Sequence, residues 1–201
     1  MIGRFVVIEG GDGSGKSTQC ARLVAHLRGR GLEVLATVEP GGTPLGAQLR
    51  RLLLDGDAID PRAEALLMAA DRAEHVVRVI RPALDRGDWV VTDRYVPSSL
   101  VYQGVVRGLG VDEIATLSAF ATDDLVPDLV VVLDVDDDTA ESRRSESGDR
   151  LEREGAEFHR DVRSAYRELA RRFGWILVDG SGSPDDVTER LLAAVAPLVD
   201  S

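Results

Sequence analysis

The sequence predicts an α/β protein in which helices cover both faces of a five-stranded parallel sheet. Strand-like and helix-like segments alternate along its 201 residues. The five strand segments are apolar almost throughout, as expected of parallel strands buried on both faces. The first strand also leads through a glycine-rich loop directly into an amphipathic helix. Since no linker or internal repeat divides the chain, we expect a single domain, 1–201.

The composition narrows the class of protein. Apolar residues make up 44% of the chain and charged residues 29%, which is typical of a soluble globular protein. A formal net charge of −11 argues against nucleic-acid partners and anionic membranes. Cys20 is the only cysteine, so we expect a reducing compartment and a buried, unreactive thiol. The apolar stretch before Glu9 is too short for a signal peptide or a membrane span, which favours the cytoplasm.

The first strand, 5–8, and the first helix, 18–30, flank a loop with a glycine, four residues and then Gly-Lys-Ser. The loop residues are Gly10, Gly11, Asp12, Gly13, Ser14, Gly15, Lys16 and Ser17. Such a loop turns backbone N–H groups inward to cradle phosphates, and the helix adds its positive N-terminal end. We expect an exposed Lys16 to reach the β- and γ-phosphates of a nucleotide and the Ser17 hydroxyl to bind Mg²⁺. Lys16 is the only lysine in the chain, whose other 23 basic residues are arginine.

Four further strands and several helices follow in alternation. Apolar runs predict strands at 34–38, 89–92, 129–133 and 175–178. Helical spacing predicts helices at 45–54, 62–86, 98–107, 112–123, 139–144, 156–173 and 184–198. We expect a break near Arg81, because Pro82 lies inside the third of these helices, and a cap at Ser183 before the last. The segment from about 145 to 155 is polar and loop-like.

Charged and glycine-rich residues follow the strands at their carboxyl ends. These segments are 9–16, 39–43, 93–95, Asp134 and 179–181. Ligands of parallel sheets bind beyond the carboxyl ends of the strands. The sequence therefore predicts one ligand site at this edge of the sheet.

Several motifs occur in order along the chain: residues 8–19, Glu39-Pro40-Gly41-Gly42-Thr43, residues 49–54, Ala69-Ala70-Asp71-Arg72, Asp93-Arg94-Tyr95, Ser98-Ser99, Tyr102-Gln103-Gly104 and Asp149-Arg150-Leu151-Glu152. With these motifs, which span essentially the whole chain, the sequence resembles the thymidylate kinase family. The resemblance implies the P-loop nucleoside monophosphate kinase fold with a short lid. It also implies phosphorylation of dTMP to dTDP by ATP and Mg²⁺ in dTTP biosynthesis, by a cytoplasmic homodimer.

The transfer of a phosphoryl group between two anions needs charge neutralisation and positioning, so arginines are expected to converge on the acceptor phosphate. Arg50, Arg72 and Arg94 lie on three separate segments that can supply them. The resemblance implies that Arg50 and Arg94 hold the dTMP phosphate and that Arg72 faces the thymine. A solvated helix arginine is the alternative for Arg50.

Two aspartates are expected to act beside the phosphates. Asp93 ends an apolar strand, where a carboxylate needs a cation or hydrogen-bond donors; it would orient the Mg²⁺ shell or hold Arg94. Asp12 would repel phosphates, which makes sense if it accepts a hydrogen bond from a sugar hydroxyl. The resemblance gives Asp12 the acceptor 3′-OH.

Further residues are assigned through the resemblance alone. Tyr102 occupies the place of a ribose 2′-OH, although its spacing also fits a core residue, and Ser99 and Gln103 approach the base. The remaining assignments are Glu39 and Pro40 to the substrate, and Thr18 to ATP. Arg143 is expected to stack on adenine, with backbone near 179–181 at the edge of that base.

The segment 145–155 is the expected lid, although its composition also fits a solvated, disordered loop. Members of the family place a transition-state cation either in the glycine loop or in the lid. The loop position is Gly13 here, so the lid must supply the charge. Arg150 is the first choice for this catalytic cation and Arg153 the second.

Met68 departs from the family pattern, since relatives often carry an aromatic residue there that stacks on thymine. Packing in the core is the alternative role for Met68.

A GTPase-type binding module is excluded, because its Asn-Lys-x-Asp motif needs a second lysine. A kinase of another nucleoside monophosphate, or of a nucleoside, remains the alternative function.

Overall fold

The computed structural model describes residues 3–143, 150–151 and 153–199. Its centre is a sheet of five parallel strands in the order β2-β3-β1-β4-β5. The strands are β1 Phe5–Glu9, β2 Val34–Val38, β3 Trp89–Asp93, β4 Leu129–Asp134 and β5 Ile176–Asp179. Each lies within two residues of the range predicted from its apolar run, and the predicted fold class is confirmed.

The register of the strands explains why charged residues meet at one edge. Ile8 of β1 pairs with Asp93 of β3 on one side and with Val131 of β4 on the other. Every residue of β1 and β3 is buried, so these two strands form the middle of the sheet. The residues that follow them, including the glycine loop, emerge side by side. Since β3 and β4 flank β1, the crevice expected at a reversal of strand order opens beyond β1.

Helices cover both faces of the sheet. The described α-helices are α1 Lys16–Gly29, α2 Pro44–Leu54, α3 Pro61–His75, α4 Arg81–Asp85, α5 Val96–Ser99, α6 Val111–Thr122, α7 Asp137–Arg143, α8 Ala156–Phe173 and α9 Pro184–Val199. Ser183 caps α9 as predicted, since its hydroxyl oxygen accepts from the backbone N–H of Asp186 at 3.2 Å.

Two segments are wound as π-helix, which the periodicity did not predict. Val76–Ile80 joins α3 to α4, and Leu100–Val106 continues α5. The predicted break near Arg81 is therefore a widened turn just before it, with Pro82 in the first turn of α4, where its missing N–H costs little. The second π segment carries Tyr102 and Gln103, and π turns frequently mark functional sites.

Each face of the sheet has its own apolar core. One core contains Val7, Tyr95 and Tyr166; the other contains Ile8 and Leu191. Both cores include residues of β1, and this packing fixes the point from which the glycine loop begins. Within the described residues, no helix combines the length and the apolar character that crossing a membrane requires.

Candidate nucleotide-binding site

A cleft opens at the carboxyl edge of the sheet and collects most of the residues predicted from the sequence. The predicted residues that line it are Asp12, Lys16, Ser17, Glu39, Pro40, Arg50, Met68, Arg72, Asp93, Arg94, Ser99, Tyr102 and Gln103. Five other residues line the cleft although no site role was predicted for them, namely Val38, Leu54, Tyr95, Ser98 and Leu151.

The glycine loop has the backbone that its sequence predicts. Gly10, Gly13 and Gly15 have φ of 142°, 81° and 86°, a region that favours glycine. A Cβ on Gly13 would lie 2.3 Å from the carbonyl oxygen of Ala140. A larger residue is excluded there, so this loop position cannot supply a catalytic cation in this chain.

Lys16 is buried rather than exposed, because its side chain folds back over the loop. Its Nζ donates to the carbonyl oxygen of Gly11 at 3.0 Å. Burial and the neighbouring Arg94 lower the pKa of Lys16, against the opposing effect of Asp12 and Asp93. Among the described residues, no carboxylate forms an ion pair with this ammonium group, which is held at the loop by the Gly11 carbonyl.

Ser17 and Asp93 form the pair of oxygens that a magnesium ion would use. The Ser17 hydroxyl, in the first turn of α1, donates to Oδ2 of Asp93 at the end of β3 at 2.7 Å. Within the described residues, no group of three or more His, Cys, Asp or Glu side chains is arranged to enclose a metal ion. This donor set fits Mg²⁺, which binds through one or two protein oxygens together with phosphates and water.

Arg94 and Asp12 form a buried ion pair in the middle of the cleft. The Nη2 of Arg94 lies 2.6 Å from Oδ1 of Asp12, and the guanidinium lies over the ring of Tyr102 at 5.3 Å. Burial alone would raise the pKa of Asp12, but Arg94, Lys16 and His159 outweigh it and lower that pKa. Asp12 therefore stays a carboxylate, with a hydrogen-bond acceptor directed at the cleft.

The backbone of Arg94 is held in an unusual conformation. Its φ is 72°, which is rare for a residue with a side chain. Its Nη1 donates to the carbonyl oxygen of Gly10 at 3.3 Å and to the hydroxyl of Ser98 at 3.1 Å. Strain of this kind persists where the surroundings determine the conformation, and here it directs the guanidinium at the glycine loop.

Glu9 is a buried carboxylate, without a role predicted from the sequence, that holds the residues around Arg94 in place. Glu9 accepts hydrogen bonds from the backbone N–H of Tyr95 at 2.9 Å and from the hydroxyls of Ser98 and Tyr166, both at 2.7 Å. Burial raises the pKa of Glu9 despite these donors and Arg94. The end of an apolar strand signalled that Glu9 needs partners, but nothing in the sequence identified Tyr166, 157 residues away.

Arg72 is fixed by a second buried carboxylate. Its Nε donates to Oε2 of Glu39 at 2.7 Å, and its Nη2 donates to the hydroxyl of Ser99 at 3.2 Å. His75 lies against the other oxygen of Glu39 at 2.8 Å. Glu39 therefore acts in this structure as a support for Arg72.

The loop after β2 is anchored from α2 and α3. Arg50 donates to the carbonyl oxygen of Pro40 at 2.9 Å, although the residue as a whole is exposed. The backbone N–H of Gly41 donates to Oδ1 of Asp71 at 3.0 Å. Burial, together with Glu39, raises the pKa of Asp71 to about 6.

The residues predicted for the lid and for adenine lie apart from these contacts. Arg143 donates to the carbonyl oxygens of Gly180 and Gly182 at 3.0 and 3.1 Å, which places it against the loop predicted to meet adenine. Thr18 and Arg153 are exposed. Of the predicted lid 145–155 and its motif, residues 145–149 and Glu152 lie outside the described residues.

Arg150 lies against the wall of the cleft, but it is not one of the residues that line it. Its Nη2 lies 2.5 Å from Oε2 of the buried Glu64, and its Nε donates to the carbonyl oxygen of Leu53 at 2.8 Å. The role proposed from the sequence requires this guanidinium to face the phosphates. The contacts with Glu64 and Leu53 hold the Arg150 side chain against this wall.

A glycine loop on the central strand, a Ser–Asp oxygen pair and arginines fixed around one cleft define a P-loop kinase of small phosphorylated substrates. A family model described as thymidylate kinase matches residues 8–191. The chain belongs to the thymidylate kinase family, as its motifs predicted.

Relatives named thymidylate kinase match almost the full chain. The relative from Leifsonia xyli subsp. xyli is 49% identical over 197 residues, which cover 94% of this chain and 92% of that protein. The relative from Rhizorhabdus wittichii is 45% identical and covers 99% of this chain and 100% of its own. The relative from Bifidobacterium longum is 51% identical over 175 residues, or 85% of each chain.

Proposed function

We propose that this protein transfers the γ-phosphoryl group of ATP to dTMP, forming dTDP for dTTP biosynthesis. The observation that carries the proposal is a single cleft that joins the glycine loop to the buried Arg94–Asp12 pair and to Arg72. A phosphate acceptor needs fixed cations near the donor loop, whereas an unphosphorylated nucleoside does not. The cleft thus suits transfer between two phosphates.

On the donor side, the glycine loop from Gly10 to Thr18 is proposed to hold the ATP phosphates through its backbone N–H groups and Lys16. The position of Arg143 beside Gly180 and Gly182 supports an adenine site between that guanidinium and the loop after β5. A bound Mg²⁺ would neutralise the charge of the β- and γ-phosphates. Ser17 and Asp93 would hold it, since both present oxygen atoms at the cleft.

On the acceptor side, Arg94 is proposed to hold the dTMP phosphate next to the glycine loop, and exposed Arg50 to close over it. Asp12 stays ionised and is proposed to accept from the 3′-OH. Tyr102 is buried beneath the Arg94 guanidinium, and its ring is proposed to exclude a 2′-OH. Asp12 and Tyr102 would together allow the site to distinguish deoxyribose from ribose.

The base is proposed to lie between α3 and the π segment. Met68 and Arg72 line the cleft from α3, Ser99 lines it from the end of α5 and Gln103 from the π segment. Glu39 and Pro40 complete the floor, where Glu39 acts through Arg72 rather than on the substrate directly. The Met68 thioether would cover the ring in place of an aromatic side chain.

The lid is proposed to supply the transition-state cation. The space around Gly13 leaves no room for a side chain, which supports a cation from elsewhere. Arg150 is the first candidate and the exposed Arg153 the second.

A homodimer in the cytoplasm is proposed for the assembled enzyme. Large apolar side chains are exposed on three helices, namely Leu52 on α2, Leu66 on α3 and Phe120 on α6, with exposed fractions of 60%, 59% and 89%. Exposed apolar surface of this kind marks interaction sites. Light scattering after size exclusion tests it: a monomer at micromolar concentration contradicts the dimer.

The proposed reaction is tested by comparing turnover of dTMP, dUMP, CMP and thymidine with ATP and Mg²⁺. We expect dTMP to be the best substrate and thymidine to be inactive, because it brings no phosphate to Arg94. Equal rates with CMP and dTMP contradict the thymidylate assignment, and a preference for thymidine indicates a nucleoside kinase.

A further inference from the structure

Glu64 is a buried carboxylate at the wall of the cleft that the proposed reaction does not use. It lies in the first turn of α3 and is only 1% exposed. A buried carboxylate needs hydrogen-bond donors, and Glu64 has three neighbours that provide them. Arg150 contacts Oε2 at 2.5 Å, while Gln103 and Arg107 approach Oε1 at 2.8 and 3.6 Å.

The contact with Gln103 fixes the orientation of an amide that is otherwise ambiguous. A carboxylate flanked by two guanidinium groups only accepts hydrogen bonds, so the Gln103 amide must turn its NH₂ group toward Glu64. The carbonyl oxygen Oε1 then points the other way. Gln103 itself is 1% exposed and lines the cleft.

The free side of this amide is a hydrogen-bond acceptor. Among the described residues, Ser14 alone has a fully buried side-chain oxygen or nitrogen atom without a hydrogen-bond partner. The hydrogen bonds of Gln103 within the described residues include none to its Oε1. This oxygen is therefore accessible from the cleft, and Arg72, which also lines the cleft, contributes only donors.

We infer that Glu64 is a positioning residue that sets base specificity by presenting the Gln103 carbonyl oxygen to the cleft. This inference rests on the proposed function. Thymine and uracil carry a donor, N3–H, beside the acceptor O4. Cytosine reverses both, with an acceptor at N3 and a donor at its exocyclic amine. A fixed acceptor at Gln103 together with the donors of Arg72 matches the first pattern and repels the second.

Glu64→Gln tests the inference, because an amide at this position can face Gln103 with either its oxygen or its NH₂ group. The values of kcat/KM are measured for dTMP, dUMP and dCMP. We expect losses of about tenfold for dTMP and dUMP alike, the size of one hydrogen bond, and a rise for dCMP, because the acceptor that repels cytosine is no longer fixed. The loss should lie in KM, since the base contact is made equally in the ground and transition states.

Gln103→Met removes the acceptor itself and is expected to give the same pattern. If Glu64 acts through Gln103, the double variant loses no more than either single variant. Glu74→Gln is the matched control, because Glu74 lies on the same helix in an exposed pair with Arg78. It should leave all three substrates unchanged.

The outcomes separate cleanly. An equal loss for dTMP, dUMP and dCMP shows a merely structural role for Glu64, and no loss for any of them also overturns the inference. Glu64→Asp keeps the charge beside Arg150 and withdraws the oxygen from Gln103, so it carries the same readout if Glu64→Gln does not fold. If the wild-type enzyme shows no preference for dTMP over dCMP, the proposed function is overturned instead. This measurement needs no variant.

Discussion

The acceptor side and the lid side of the cleft are built from similar residues but are organised differently. On the acceptor side, Arg72 and Arg94 each lie against a buried carboxylate, Glu39 and Asp12, within 2.7 Å. On the lid side, Arg153 is exposed, and the nearest carboxylate of Arg150 is Glu64 in the wall of the cleft. Arg72 and Arg94 line the cleft, where we propose that they are preorganised for a phosphate, whereas Arg150 and Arg153 are not among the lining residues.

The contrast indicates where positive charge can be fixed before the substrate binds. A substrate phosphate that binds in the ground state profits from arginines that need no rearrangement. A cation required only in the transition state gains nothing from resting there, since it would attract the donor phosphates equally before the reaction. If this holds, variants of the acceptor side should change substrate binding, and variants of the lid side should change kcat.

The largest effect is expected at the loop that both sides share. Lys16→Ala should lower kcat by at least about 10²–10³-fold, because the γ-phosphoryl group loses its fixed cation during transfer. Since Lys16 is buried, the melting temperature must be measured as well. A folded variant with unchanged kcat contradicts the site. Lys16→Arg serves as the control for charge: a planar fork cannot replace a slim ammonium group, so it should also be inactive.

Arg150→Ala tests the lid side. If Arg150 supplies charge only in the transition state, kcat should fall by roughly 10³–10⁵-fold with little change in either KM. We expect this loss, together with a lower melting temperature, because Glu64 loses a partner.

Arg153→Ala is the matched variant, since it removes an exposed arginine of the same segment without disturbing Glu64. A larger loss of kcat in Arg153→Ala than in Arg150→Ala would transfer the catalytic role to Arg153. If Arg150→Ala raises only the KM of ATP, its role is donor binding.

The sequence predicted the fold well because its three central strands, β3, β1 and β4, are buried almost throughout. An unbroken apolar run such as 129–133 has no alternative place in a globular protein, and its structure begins at the predicted residue Leu129. The π turns were missed because apolar spacing reports the face of a helix and not the width of one turn. Pro82 gave the position of the break but not its form.

The position of Asp93 and Arg94 at the cleft was predictable for a similar reason, since Asp93 ends a buried strand of fixed register and Arg94 follows it directly. The lid side was not. Glu64 looks like an ordinary acidic residue in the first turn of a helix, and only the packing of α3 against the π segment buries it. The contact of Arg150 with Glu64 depends on this burial, which no local sequence pattern predicts.

Asp71 tests the acceptor side through its pH dependence. Its pKa is raised to about 6 from an ordinary value of 3.8, so the folded protein holds a proton that the unfolded chain releases. The stability from this group is complete below the ordinary value and is lost as the pH rises through about 6.

Asp71→Asn cannot ionise, and its carbonyl oxygen can still accept from Gly41. Between pH 5 and 7, the melting temperature of wild type should therefore fall by a few degrees relative to Asp71→Asn. Melting curves at several pH values measure this difference. A constant difference between the two proteins across that range contradicts the raised pKa.

The smallest effect concerns the departure of this chain from its relatives at Met68. The side chain lines the cleft beside Arg72 but also packs partly on the core, so both roles suggested by the sequence have support. Base–aromatic stacking contributes about 1–3 kcal/mol and a sulfur–aromatic contact about 0.3–1.5 kcal/mol. The difference, on the order of 1 kcal/mol, predicts that Met68→Phe tightens dTMP binding several-fold and leaves ATP affinity unchanged.

Leu67→Phe is the control, because Leu67 packs on the same core and is not among the residues that line the cleft. It should only lower the melting temperature, since an enlarged core residue costs about 1–3 kcal/mol. If Met68→Phe behaves like Leu67→Phe in calorimetric titrations and melting curves, Met68 is core filler and the thymine is held by the hydrogen bonds of the acceptor side alone.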